Sequence, residues 1–258
     1  MLTRRSIQIV LTLLCVTFIA SCGGNADKDV PLIFAAASLA DVLAESAEIY
    51  EKETGKRVEF NFGGSITLAN QIAKLDAPVD GVFFVGELPE LLLGDLVVTV
   101  PNGRIGLVNT LVVIAKENAG NVRTVEDLAG SDSRIAIGDP VLAPVGRFAK
   151  QALESASVWD EIKNDLIFTA DVRAALAAVE TGNSTYGIVY RTDAMGSDSV
   201  SIVSEIYDGY SPVVYAGRTL ADARNALAAK NYFDFISESK DVQNVFESAG
   251  FTVGFSGP

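Results

Sequence analysis

The stretch FAAASLADVL, Phe34 to Leu43, decides how the chain is read. It opens like a buried strand, shrinks to three alanines, and passes through a serine into apolar residues at helical spacing. Leu39, Val42, Leu43, Ala47 and Tyr50 carry that spacing on, so a strand over 32–36 is followed by a helix over 39–53. Ser38 and Asp41 fit S-x-x-[DE], a capping box in which the hydroxyl accepts from a backbone N–H and the carboxylate reaches back. The same serine has a second reading. Small residues ahead of a helix start leave room for a ligand, and free N–H groups there favour an anion. This stretch alone leaves both readings open.

Outward from it, short apolar runs alternate with helical patterns, which argues an α/β protein built from parallel-sheet units. Strands are expected over 32–36, 58–62, 81–85, 111–115, 134–137 and 187–190. Helices are expected over 39–53, 67–75, 147–156, 172–180 and 220–237. The fourth is clearest, because Val172, Ala175, Leu176 and Val179 follow i, i+3, i+4, i+7. Several junctions share the chemistry of the first. Gly63 and Gly64 let backbone approach a ligand, and Ser65 and Thr67 bring hydroxyls to a helix start. Gly138-Asp139-Pro140 leads to Pro144-Val145-Gly146 at another start, and Asp171 stands as an N-cap before Val172. Each junction is a well-made cap by itself. In open α/β sheets ligands bind outside the carboxyl ends of the strands, where all of them converge.

Composition narrows the function. Arg4 and Arg5 precede an apolar run from Ile7 to Ala20, too short for a membrane span and suited to a signal peptide over 1–21. It ends in Ile-Ala-Ser-Cys, the pattern of a lipobox, so Cys22 is the expected lipidation site and residues 22–30 a polar tether. With Cys15 in the leader and Cys22 acylated, no thiol is left for a disulfide or a nucleophile. The chain has no histidine, which excludes Ser-His-Asp and Cys-His catalysis and the usual zinc sites. Loss of a leader with two arginines and no acid takes the formal charge from −13 to −15. Nucleic acid is therefore not an expected partner, and an anion site must work by local donors against the overall field.

The junctions, taken in order, resemble the molybdate-binding protein of bacterial ABC importers. The matching stretches are FAAASLADVL, SITLANQIA, GDPVLAPVGRFAKQAL, ADVRAALAAVETG and GIVYRTDA, and together they span about 31–251. The resemblance implies a type II periplasmic-binding-protein fold, two doubly wound α/β lobes with a ligand cleft between them. Lobe I would hold 31–108 plus 214–258, and lobe II 109–213. It also implies the site: Ser38 and Ser65 as donors from lobe I, the backbone N–H groups of Val145 and Val172 and the hydroxyl of Tyr190 from lobe II. A donor cage suits molybdate, a dianion without protons at neutral pH. Ile66 departs from the pattern, standing where relatives carry a small or hydroxyl residue.

The expectation is then a lipid-anchored, monomeric solute-binding protein of the cell envelope, facing the periplasm or the cell exterior. It would deliver molybdate, and tungstate with it, to an ABC permease and its ATPase, with no enzyme activity, no cofactor and no cation site. Sulfate or another tetrahedral oxyanion on the same scaffold, or a non-transport sensory lipoprotein, are the alternatives. An enzyme using Tyr190 or Asp193 as acid or base finds no nucleophile or metal motif beside them.

Overall fold

β1 (Leu32–Ala36) is buried along four of its five residues, as a strand flanked by others on both sides must be. β2 (Glu59–Gly63) and β3 (Gly81–Val85) pair with it in parallel from the two sides. Parallel neighbours need crossovers, and α1 (Ala40–Thr54) and α2 (Ser65–Leu75) provide them. Gly55 stops α1 in the left-handed conformation, at φ 70°, where a side chain would be strained. α3 (Glu87–Leu93), β4 (Val97–Val98) and β5 (Gly106–Asn109) follow. The protein is seen here in a computed structural model that describes residues 29–98, 106–116, 121–131 and 133–254. The leader and Cys22 lie outside these residues, and no helix among them is long and apolar enough to cross a membrane.

After Asn109 the chain leaves for a second sheet. β6 (Leu111–Ala115), β7 (Ile135–Gly138), β8 (Leu166–Thr169), β9 (Tyr186–Tyr190) and β10 (Ser201–Ile206) assemble there in the order β10-β6-β9-β7-β8. Every residue of β6, β7 and β9 is buried, against α4 (Pro144–Ser155) and α6 (Val172–Glu180) among others. The short helices α5 (Trp159–Ile162) and α7 (Arg191–Met195) complete this half. The chain then returns through β11 (Val213–Leu220), α8 (Ala226–Glu238), α9 (Lys240–Ser248) and β12 (Thr252–Gly254). The first sheet thereby reads β12-β5-β11-β3-β1-β2, with β4 paired on β11. Two mixed sheets, each with its own helices and joined by two crossings of the chain, make the two α/β lobes.

Two expectations need correction. The sheets are not purely parallel: only the pairs β1–β2, β1–β3, β7–β8 and β7–β9 are. β11 comes back from the second sheet and enters the first antiparallel to β3, while β6 pairs antiparallel with β9 and β10. The last long helix starts at Ala226 and not at residue 220, because Leu220 still belongs to β11 and donates its N–H to Asp80 O at 3.1 Å. The Asp80 carboxylate also accepts from the N–H groups of Leu32 and Asn225, tying β1 to the start of α8.

Candidate functional site

Ser38 lies in a short 3-10 turn, Ala37–Leu39, between β1 and α1. The capping-box reading is overturned there: the residue before α1 is Leu39, and it makes no side-chain cap. The tightened turn moves the helix start past the serine, whose Oγ stands 2.9 Å from Tyr215 Oη instead. Asp41 does not reach back either, since its Oδ2 pairs with Arg173 Nη2 at 2.7 Å. Ser65 is the first residue of α2, and its Oγ accepts the Val85 N–H at 3.3 Å. That leaves the serine's own proton for another acceptor.

The second lobe supplies three more elements. Val145 follows Pro144 at the start of α4, and Val172 opens α6, so neither N–H has a carbonyl one turn back. Asp171 is the N-cap of α6 as expected, accepting from Ala174 N–H at 3.0 Å. Tyr190 ends β9 at 1 % exposure, and its hydroxyl has no hydrogen-bond partner among the described residues. Burial above all pushes its phenol well above the usual range, with Tyr215 and Asp193 adding to the effect, so it stays a neutral donor.

All five residues line one cavity, together with Ala36, Ala37, Gly63, Gly64 and Val85 from the first lobe and Ala143, Pro144 and Asp171 from the second. The space between these atoms, its open mouth included, is about 210 Å³. No arginine or lysine lines it, and its one carboxylate, Asp171, is committed to capping a helix. Ile66 is buried in α2 and is not part of the lining, so its bulk does not narrow the space. Among the described residues no group of three or more His, Cys, Asp or Glu could hold a metal ion.

Contacts across the mouth hold the lobes together. Thr67 of the first lobe gives both its N–H and its hydroxyl to Leu142 O of the second, at 3.1 and 3.2 Å. On another side Arg173 bridges Asp41 in the first lobe and Asp193 in its own, the latter at 2.8 Å but out of hydrogen-bond alignment. Burial pushes the Asp193 carboxyl up to about 7, against the downward pull of Arg173 and with the help of Asp41 and Asp171. Asp193 and Asp41 thus flank the Arg173 guanidinium from the two lobes, which makes the three residues a clasp. Sequence spacing could not reveal these contacts, because Arg173 and Asp41 are 132 positions apart.

Two lobes that share a small, donor-lined cavity have the architecture of a solute-binding protein. The chain belongs to the bacterial extracellular solute-binding protein family, whose sequence pattern covers residues 31–252. It is not an enzyme family. A Bacillus subtilis protein named "Putative ABC transporter substrate-binding lipoprotein YvgL" is 35 % identical over 91 % of this chain and 93 % of its own. Molybdate-binding protein ModA of Haemophilus influenzae is 37 % identical over 76 % of this chain and 82 % of its own. Among solved structures, the periplasmic molybdate-binding protein of Azotobacter vinelandii superposes with a TM-score of 0.75 at 21 % identity, covering 87 % of this chain and 99 % of its own. As a member of that family the protein is an extracellular solute-binding protein.

Gly64 stands close against the second lobe, and its φ of −63° and ψ of 123° are open to any residue. A Cβ there would stand 2.8 Å from Leu142 O and 2.9 Å from Ala170 O, both across the cleft. Gly64→Ala is thus expected to spare folding and oppose closure. Small-angle scattering should show a larger radius of gyration in the variant at unchanged far-UV dichroism, and identical profiles would refute the expectation.

Proposed function

We propose that the protein captures molybdate, and tungstate by the same contacts, and delivers it to an ABC permease and its ATPase. The observation that carries this reading is the donor balance of the cavity. Ser65 and Tyr190 have protons no protein atom takes, Ser38 faces the same space, and two first-turn N–H groups join them. Such a lining suits an acceptor-only ligand, and molybdate at neutral pH is one. Hydrogen phosphate carries a proton and needs an acceptor, and Asp171, whose Oδ1 already caps α6, is the single carboxylate of a lining otherwise rich in donors, so phosphate is the poorer match. The helix starts add partial positive charge, and neutral donors act strongly in a dry cleft. The names of the Haemophilus influenzae and Azotobacter vinelandii relatives support the choice of molybdate over sulfate, which carries the same charge in a smaller tetrahedron. No cofactor is needed for such a task, and one chain supplies the whole cage, so the working unit is a monomer. The two lobes, split near residues 109 and 213, are the bodies that would part to admit the ion.

A lipid anchor at Cys22 fits the Ile-Ala-Ser-Cys sequence and the word lipoprotein in the name of the Bacillus subtilis relative. Cys22→Ala should shift the protein from the membrane to the soluble fraction, since stable anchoring needs more than one chain's worth of lipid contact. Equal membrane retention would count against acylation.

Calorimetric titration tests the ligand. Molybdate and tungstate should bind, and sulfate and phosphate far more weakly. Ser38→Ala and Ser65→Ala should each weaken molybdate by about 1.5–3 kcal/mol, the range for hydrogen bonds to charged groups, or roughly ten- to a hundredfold. Sulfate binding as tightly as molybdate would reassign the ligand, and unchanged affinity in both variants would remove the serines from the site.

A further inference from the structure

Behind Ser38 stands a chain of hydrogen bonds that fixes which way its proton points. It starts at the first crossing between the lobes. Asn109, the last residue of β5 and 5 % exposed, accepts the Thr110 N–H on Oδ1 at 2.9 Å. That contact settles the amide's orientation, so its NH₂ faces the other way. The NH₂ donates to Thr192 Oγ1 at 2.8 Å, in the second lobe, and to Tyr215 Oη at 3.3 Å, in the first. Tyr215 Oη lies 2.9 Å from Ser38 Oγ, and all three residues are buried.

The direction follows from counting protons. Tyr215 already accepts from Asn109, and its single proton has Ser38 Oγ as its partner in the described structure. Were Ser38 the donor instead, the phenol's proton would be left buried without an acceptor, the costlier arrangement. Burial drives the Tyr215 phenol well above its usual range, so it keeps that proton. Ser38 therefore accepts from Tyr215 and has its own hydrogen left for the cavity it lines.

We propose that Asn109 and Tyr215 are positioning residues that set Ser38 as a hydrogen-bond donor toward the bound oxyanion. The relay makes the cavity select against ligands that must donate at this position. It also ties the polarity of a first-lobe serine to Thr192 of the second lobe through the residue where the chain crosses over. The inference rests on the reading of Ser38 as a ligand contact.

Calorimetric titration of the full chain with molybdate tests it in five variants beside the wild type. Tyr215→Phe keeps the ring against Phe251, at 5.6 Å, and removes only the hydroxyl. It should weaken binding about tenfold, the size of one such hydrogen bond. Asn109→Asp presents Tyr215 with an acceptor, turns the phenol's proton away from Ser38 and lets the serine donate backward. It should weaken binding at least about a hundredfold. Its added charge also repels the ligand, so the same substitution in the Tyr215→Phe background measures that part alone, and there it should cost no more than about tenfold. Ser38→Ala combined with Tyr215→Phe should bind no worse than Ser38→Ala. An Asn109→Asp penalty equal in both backgrounds, or Tyr215→Phe binding like the wild type, would overturn the relay while leaving the proposed function intact. Absence of binding in the wild type would defeat the proposed function itself, and the relay with it.

Discussion

Buried hydroxyl protons with no acceptor in the protein are the constraint on which this structure turns. A donor removed from water and left unpaired is destabilising, and proteins hold few of them. Here the hydroxyl of Tyr190 has no partner among the described residues, that of Ser65 accepts the Val85 N–H and keeps its own proton, and that of Ser38 shares one contact with Tyr215 Oη. They are gathered on one cavity where a small anion can satisfy them together. The fold tolerates the arrangement because the cavity sits at the carboxyl ends of strands from both sheets. The burden is shared between two lobes that need not be closed at all times.

The two crossings of the chain explain how distant residues meet. Tyr190 pairs in register with Leu111, the first residue after the outward crossing, and Arg191 N–H donates to Thr110 O at 2.9 Å. Asn109 and Thr192 face each other at the same place. The outward crossing and the cavity are therefore one neighbourhood, built from β5, β6, β9 and β11. Motion there would move donors, and a ligand that collects donors from both sides would favour the closed arrangement. Across the mouth the clasp of Arg173 with Asp41 and the bonds from Thr67 to Leu142 O give closure contacts of its own. Asp41 and Thr67, the first-lobe partners in these contacts, are exposed or partly so, which limits the strength of each contact.

Much of this was legible in the residues. β1, β3 and β6 and helix α6 stand where apolar runs and helical spacing placed them, since β3 and β6 are wholly buried, β1 nearly so, and α6 along one face. β5, β11 and β12 were not foreseen. β5 and β12 are only four and three residues long, and β11 depends on pairing with strands far away in sequence. The serine of FAAASLADVL reads in sequence as a helix cap and as a ligand donor, and the structure removes the first role. It sits beside the cavity, but a 3-10 turn takes it off the helix cap, and Tyr215, 177 positions on, holds it. Local spacing could find the junctions. It could not find Tyr215, Asn109 or the Arg173 clasp, because those contacts exist only once the chain has crossed between sheets twice.

The central claim is that donors from both lobes meet on one acceptor-only ligand. A crystal structure grown with tungstate, with the tungsten located by its anomalous scattering, tests it most directly. The account predicts a single strong peak within hydrogen-bond reach, through its oxygens, of Ser38, Ser65, Tyr190 and the N–H groups of Val145 and Val172. A peak elsewhere, or one touched by the residues of a single lobe, would contradict it.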